Sequence, residues 1–311
     1  MSRRTRIAGT VVLTSAAVAY LVWKIDLDTA IDILAGANLG WFALAAAIMV
    51  LTVPVLAARW GWLLHAHAID ERVLWLTRTY FVAYTAGQVL PTSLGGDAVR
   101  VVETVRRHPG RTAVVTGTVL LGAVGFLLSV GRYDVSAYLW LEGVFVFGTI
   151  VLGFLFFSRS ARPLLRRAQP LLERLRIARP LRAFYEGVHH YRSRPRLLAG
   201  VLAVTLAVQA VRILAIWACA RAVGIELDAR VYYVMGPLLF LVMLIPFTLN
   251  GLAVREAFFV SFLGSLGIGS NEAFAAGFLF FLVAVLMAIP GGAIMIRGGL
   301  RGGARPRAEP G

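Results

Sequence analysis

Two arginines close two nearly matching strings in this 311-residue chain. Leu90-Pro91-Thr92-Ser93-Leu94-Gly95-Gly96-Asp97-Ala98-Val99-Arg100 recurs as Ile245-Pro246-Phe247-Thr248-Leu249-Asn250-Gly251-Leu252-Ala253-Val254-Arg255, 155 residues further on, with six of eleven positions identical. The residue types fit binding of an oxyanion. Arginine grips phosphate bidentately. A helix that starts after a break aims free backbone N–H groups at the gap, which is an anion site. Pro91 and Pro246 each remove a donor and disfavour helix just before them. Gly95, Gly96 and Gly251 permit tight turns. Ser93, Thr248 and Asn250 add side-chain donors, and Asp97 and Glu256 are placed to position the arginines. Arg100 and Arg255 then either touch a substrate or brace the chain around the breaks.

The elements carrying these strings lie in a membrane. Hydrophobic residues make up 59% of the chain and charged residues 15%, against roughly half and a quarter in soluble domains. Several apolar runs approach the roughly 20 residues that cross a bilayer. This excludes a soluble catalytic domain. One cysteine, Cys219, excludes an internal disulfide and argues against a thiol metal site. The net charge of +15 is uneven: eleven arginines lie between residues 158 and 196, against Glu173 and Glu186. Such a run between apolar spans follows the positive-inside bias better than it fits nucleic-acid binding. It also suits anionic lipid head groups at the cytoplasmic surface.

Charge bias orders the spans. Arg3, Arg4 and Arg6 place the N-terminus inside, before an apolar run from Ile7 to Trp23; Ala17-Val18-Ala19 offers the alternative of a cleaved signal. Asp26, Asp28 and Asp32 fall outside. Trp41 to Leu64 crosses inward, with Arg59 near enough to its end to snorkel. Val73 to Leu90 re-enters; a full crossing would strand Arg100, Arg106, Arg107 and Arg111 outside, so a hairpin returning through Val99 to Val105 is expected. Thr112 to Val130, Val135 to Phe157 and Leu197 to Ala220 cross in turn. Val231 to Leu249 enters from outside, and Ala257 to Gly267 returns there as a second hairpin. Phe274 to Ile296 crosses inward.

The expected fold class is therefore all-α: a polytopic helical bundle of about six full spans and two re-entrant hairpins related as an inverted repeat, with eight full spans as the alternative. Residues 1–297 form one transmembrane domain, 158–196 its basic loop and 298–311 a disordered cytoplasmic tail. Both termini are expected in the cytoplasm of a multi-pass cell-membrane protein. Inverted repeats with interrupted helices point to a transport site near the bilayer midplane.

Other polar residues within spans are candidates by their cost in lipid. Glu142, Gln209 and Arg212 are such residues, with Arg59 beside them, and Glu142 and Arg212 are potential partners. His65 and His67, beside Asp70 and Glu71, fit a solvated loop better than a metal site. No nucleotide loop, zincin motif or nucleophile elbow is present, so neither cofactor nor metal is expected.

Gly87 to Arg100 resembles the first signature of the lysylphosphatidylglycerol synthase transmembrane-domain family. Ile245 to Glu256 resembles the second, and Ala58-Arg59-Trp60 and Gly224-Ile225 are also similar. Asp97 stands where the family often has Glu, and the second signature often has Gly near Asn250 or Leu252. The resemblance implies a flippase-like domain that moves a phosphate-bearing lipid between leaflets, an aminoacyl-phospholipid or a polyprenyl-phosphate glycolipid. It implies no enzyme activity here, since the aminoacyl-transferase domain fused in the best-known members has no counterpart. A lipid-modifying synthase or glycosyltransferase is then an expected partner. The rival readings are a membrane transferase with Asp97 or Glu142 as base, and a non-catalytic partner docking a glycosyltransferase through the basic loop.

Overall fold

The computed structural model describes residues 15, 17–89, 95–109, 111, 112, 114–116, 118, 119, 191, 194–243 and 253–297. All secondary structure among them is helical. After helical residues 17–24 come α1 (Leu27–Ala35), α2 (Leu39–His65), α3 (Val73–Val89), α4 (Gly95–Arg107), α5 (Pro195–Ala222), α6 (Ala229–Met243), α7 (Val254–Gly264) and α8 (Ser270–Ile296). Local chemistry sets the starts. Asp26 accepts from the N–H groups of Asp28 and Thr29 at 3.0 and 3.2 Å, and Asn38 from those of Gly40 and Trp41 at 2.9 and 3.2 Å, each filling free donors of a first turn. Pro195 opens α5, where its missing N–H costs nothing.

Among the described residues α2, α5 and α8 are long and apolar enough to cross a membrane. At 1.5 Å per residue each is about 40 Å long. α2 and α5 run antiparallel along their whole length. The Asn38 N–H donates to the Ala222 carbonyl at 2.7 Å, Trp41 meets Trp217 edge-on at 5.1 Å, and Arg59 reaches Thr205. Asp26 N–H donates to Asn271 Oδ1 at 3.0 Å, bringing the start of α8 to the same end as the start of α2. That end carries Asp26, Asp28, Asp32, Glu226, Asp228 and Glu272. The helix ends opposite carry Arg72, Arg106, Arg107, Arg111, Arg194 and Arg297.

α8 is the ruler for the shorter helices. α3 enters from its C-terminal half: the Phe81 carbonyl lies against Gly291, Thr85 Oγ1 donates to the Ala288 carbonyl at 2.6 Å, and Gln88 Nε2 to the Ala284 carbonyl at 3.1 Å. A Cβ at Gly291 would run into that Phe81 carbonyl, so only glycine allows this approach. α7 runs along the N-terminal half: Phe259 packs on Gly277 and Phe280, and the Arg255 guanidinium lies 4.9 Å from the Phe281 ring centroid. α3 thus ends, and α7 begins, about a turn apart at the middle of α8, α3 having come from the C-terminal end of α8 and α7 leaving toward its N-terminal end.

α4 packs back along α3. Its first turn touches Ala83, and its end returns to the start of α3, where Glu71 accepts from Arg107 Nε at 3.0 Å and lies 3.1 Å from His108 Nε2. One expectation changes here. Gly95 and Gly96 belong to the first turn of α4, not to the break. Gly96 is there because the helices close up: an added Cβ would stand 2.8 Å from the Ala83 carbonyl oxygen. Thr112 to Val130, Val135 to Phe157, the basic loop and the tail lie wholly or largely outside the described residues.

Candidate functional site

The described ends of the repeated strings differ in where their helices begin. In the first, the helix starts at Gly95, and Asp97 supplies a carboxylate to its first turn, where the helix dipole favours negative charge. The second has Leu252 at the matching place, without that help. α7 starts only at Val254, after Ala253 with φ 65° and ψ −36°, a rare and strained conformation for a residue with a Cβ. Arg100 therefore sits in the second turn of its helix and Arg255 at the second residue of its own.

Both arginines are buried and both meet a carboxylate. Arg100 pairs with Asp97, three residues before it. Its guanidinium stands 4.4 Å from the Tyr80 ring centroid and 5.4 Å from that of Trp60. Burial opposes its charge, and the Asp97 carboxylate and the faces of the two rings offset it. Trp60 packs edge-on against Tyr80 at 5.8 Å and donates to Thr118 Oγ1 at 3.1 Å. Arg255, 1% exposed, donates from Nε and Nη2 to Glu256 Oε1 at 2.9 and 2.7 Å. The other Glu256 oxygen is buried without a hydrogen-bond partner among the described residues. Pro91, Ser93, Pro246, Thr248, Asn250 and Gly251 lie outside the described residues, as does Glu142.

α5 and α2 add one cation each. Arg212 donates from Nη2 to the Tyr84 hydroxyl at 2.9 Å and from Nε to Met49 Sδ at 3.3 Å. Arg59 does not snorkel. It is buried and donates from Nη1 to Thr205 Oγ1 at 2.8 Å, because α5 crosses α2 there and covers it. Its Nε finds no partner among the described residues. Gln209 is buried one turn beyond Thr205 on the same helix. Among the described residues Arg59, Arg100 and Arg255 are buried cations and Arg212 is half-buried, against the buried carboxylate of Glu256 and the half-buried one of Asp97. Removing guanidinium groups from water is costly unless anions and hydrogen bonds compensate, so this interior favours a further anion.

At the basic end, His65 Nδ1 lies 2.5 Å from Asp70 in an exposed pair. Arg111 donates to the His67 carbonyl at 2.9 Å. Burial pushes the Tyr191 phenol well above its ordinary range, and its hydroxyl donates to the Leu63 carbonyl at 2.7 Å. Among the described residues no group of three or more His, Cys, Asp or Glu side chains is placed to hold a metal ion.

Sequence reasoning missed Tyr80, Tyr84, Trp60 and Thr205, which hold the arginines. The one available signal was the i,i+4 spacing of Tyr80 and Tyr84 just before the first break, which puts both rings on one helix face. A family model described as lysylphosphatidylglycerol synthase TM region matches residues 7–292. No curated protein matches the chain.

Proposed function

The chain belongs to the lysylphosphatidylglycerol synthase TM-region family, and from that premise we propose that it is a flippase-like protein moving a phosphate-bearing lipid between leaflets. The observation that carries this reading is the surplus, among the described residues, of buried guanidinium groups over buried carboxylates in an apolar bundle. Ionisable groups at that depth mark substrate pathways, and the sign fits a phosphate. The lipid tails would remain in the bilayer while the head group passes the arginines.

The contacts of α3 and α7 along α8 support a two-sided arrangement. Antiparallel α3 and α4 would form a re-entrant hairpin from the basic side, and α6 and α7 a second from the acidic side, both reaching mid-bilayer. The positive-inside bias assigns the basic end, with both chain termini, to the cytoplasm of the cell membrane.

The test is translocation in proteoliposomes loaded with fluorescent phosphatidylglycerol, lysylphosphatidylglycerol or a polyprenyl phosphate. Wild-type protein is expected to speed leaflet exchange of at least one, and Arg100→Gln to slow it at least tenfold. Equal, slow exchange of all three by both proteins would remove the proposal.

A further inference from the structure

Arg212 was reached from sequence only as a polar residue in a span, yet it meets the same face of α3 as Arg100. Tyr80 and Tyr84 are four residues apart, so their rings lie one above the other, separated by about 6 Å along the axis. Arg100 stacks on the first ring; Arg212 donates to the hydroxyl of the second. The cluster holds two guanidinium groups, two phenols and, among the described residues, the single carboxylate of Asp97.

Its donors outnumber its acceptors. The Tyr80 hydroxyl is buried in a residue 6% exposed and has no hydrogen-bond partner among the described residues. The Tyr84 hydroxyl, having accepted from Arg212, keeps its own proton to donate. Arg212 also donates to the Met49 thioether, a weak acceptor. A buried donor without an acceptor is costly, and a net positive cluster adds to the demand. A tetrahedral oxyanion satisfies both, with one oxygen on the guanidinium and another on the phenols.

We propose that Arg212, Tyr84 and Tyr80 form an oxyanion seat for a phosphodiester, one helical turn beyond Arg100, so that the head group is handed from Arg100 to Arg212 across the tyrosine face of α3. This deepens the lipid-translocation reading and rests on it for the source of the phosphate. Met49 lies on α2 ten residues before Arg59, which places the seat toward the acidic end, the direction of a head group travelling outward from Arg100.

The test uses full-length protein in maltoside detergent and follows its thermal stability during titration with three probes: dioctanoyl phosphatidylglycerol, inorganic phosphate and dioctanoylglycerol. Tyr80→Phe and Tyr84→Phe keep the rings, and so the stacking on Arg100, while removing the hydroxyls; Arg212→Gln removes the cation. Phosphatidylglycerol is expected to stabilise wild type by mass action and dioctanoylglycerol to leave it unchanged. Each Phe variant is expected to weaken the apparent affinity for phosphatidylglycerol about tenfold, and Arg212→Gln more, with Tyr84→Phe adding little on the Arg212→Gln background. Phosphatidylglycerol affinity equal to wild type in all three variants overturns the seat, whatever the transport assay shows. An inorganic-phosphate response matching that of the lipid, lost in the same variants, keeps the seat but removes the lipid reading on which the proposed function stands.

Discussion

The side-chain amide of Gln88 donates to the main-chain carbonyl of Ala284 at 3.1 Å, halfway along α8. The end of α3 is thereby fixed at the centre of a spanning helix. Four residues earlier in α3, Tyr84 faces Arg212, and Arg255 of α7 lies over Phe281, one turn of α8 away. The depth of the arginines is thus set by main-chain and ring contacts to α8.

Gly291 sets how near α3 can come to α8. Gly291→Val is expected to destabilise the protein by about 1–3 kcal/mol through overpacking, read as a lower melting temperature in detergent. Gly292→Ala, whose added carbon would meet its nearest neighbour, Thr85 Cγ2, at 3.9 Å, should melt as wild type does. Equal losses in both would mean that the close approach is not what the glycine serves.

Arg59 is a buried cation that donates to Thr205. Burying a guanidinium without a carboxylate beside it is costly, and an apolar side chain of similar length avoids that cost. Arg59→Met should therefore melt at or above the wild-type temperature while lipid exchange in proteoliposomes falls at least tenfold. Full exchange with lowered stability would make Arg59 a structural residue.

Ala253 carries its strain at the start of α7. A strained dihedral costs on the order of 1–3 kcal/mol, and glycine adopts it freely while adding roughly 0.4–1 kcal/mol of unfolded-state entropy. Ala253→Gly is accordingly expected to raise the melting temperature. An unchanged or lower value would show that the backbone there is not under strain.

Glu71 receives both Arg107 and His108 and ties the end of α4 to the start of α3. Glu71→Gln should speed amide hydrogen exchange in the last turn of α4 and leave α8 protected. Uniform change across both helices would indicate global destabilisation instead of a local tie.

Orientation can be read chemically. Cys219 is buried and the chain has no other cysteine, so the native background is silent to an impermeant maleimide. Asp28→Cys is expected to label from outside intact cells and His65→Cys only after permeabilisation. The reverse pattern would invert the proposed topology.

Much of the fold was legible because apolar length and charge bias are strong signals in lipid. The spans expected at Trp41–Leu64, Leu197–Ala220 and Phe274–Ile296 match α2, α5 and α8 to within a few residues. Arg100 and Arg255 stood out because their strings repeat. What holds them did not. Tyr80 and Tyr84 read as ordinary apolar-face aromatics until Arg100 and Arg212, far apart in sequence, converge on them. Arg59 lies six residues before the end of α2, where the helix alone suggests a snorkelling side chain; the covering helix α5 is 146 residues away at Thr205. The described helix starts fall at different positions of the two strings, Gly95 in the first and Val254 in the second, which the matching Ala-Val-Arg endings hide.

The contacts also join the described helices in pairs. α3 is joined to α8 through carbonyls and a glycine, and α2 to α5 by Asn38–Ala222, Trp41–Trp217 and Arg59–Thr205. Across the seam between them run Arg212 to Tyr84 and, from α4, Arg100 to Trp60. The arginines are thus among the fasteners between the two pairs, beside the Trp60–Tyr80 rings and the direct contacts of α8 with α2 and α5. Under the proposed function, a phosphate bound at the arginines would compete with part of what holds the pairs together.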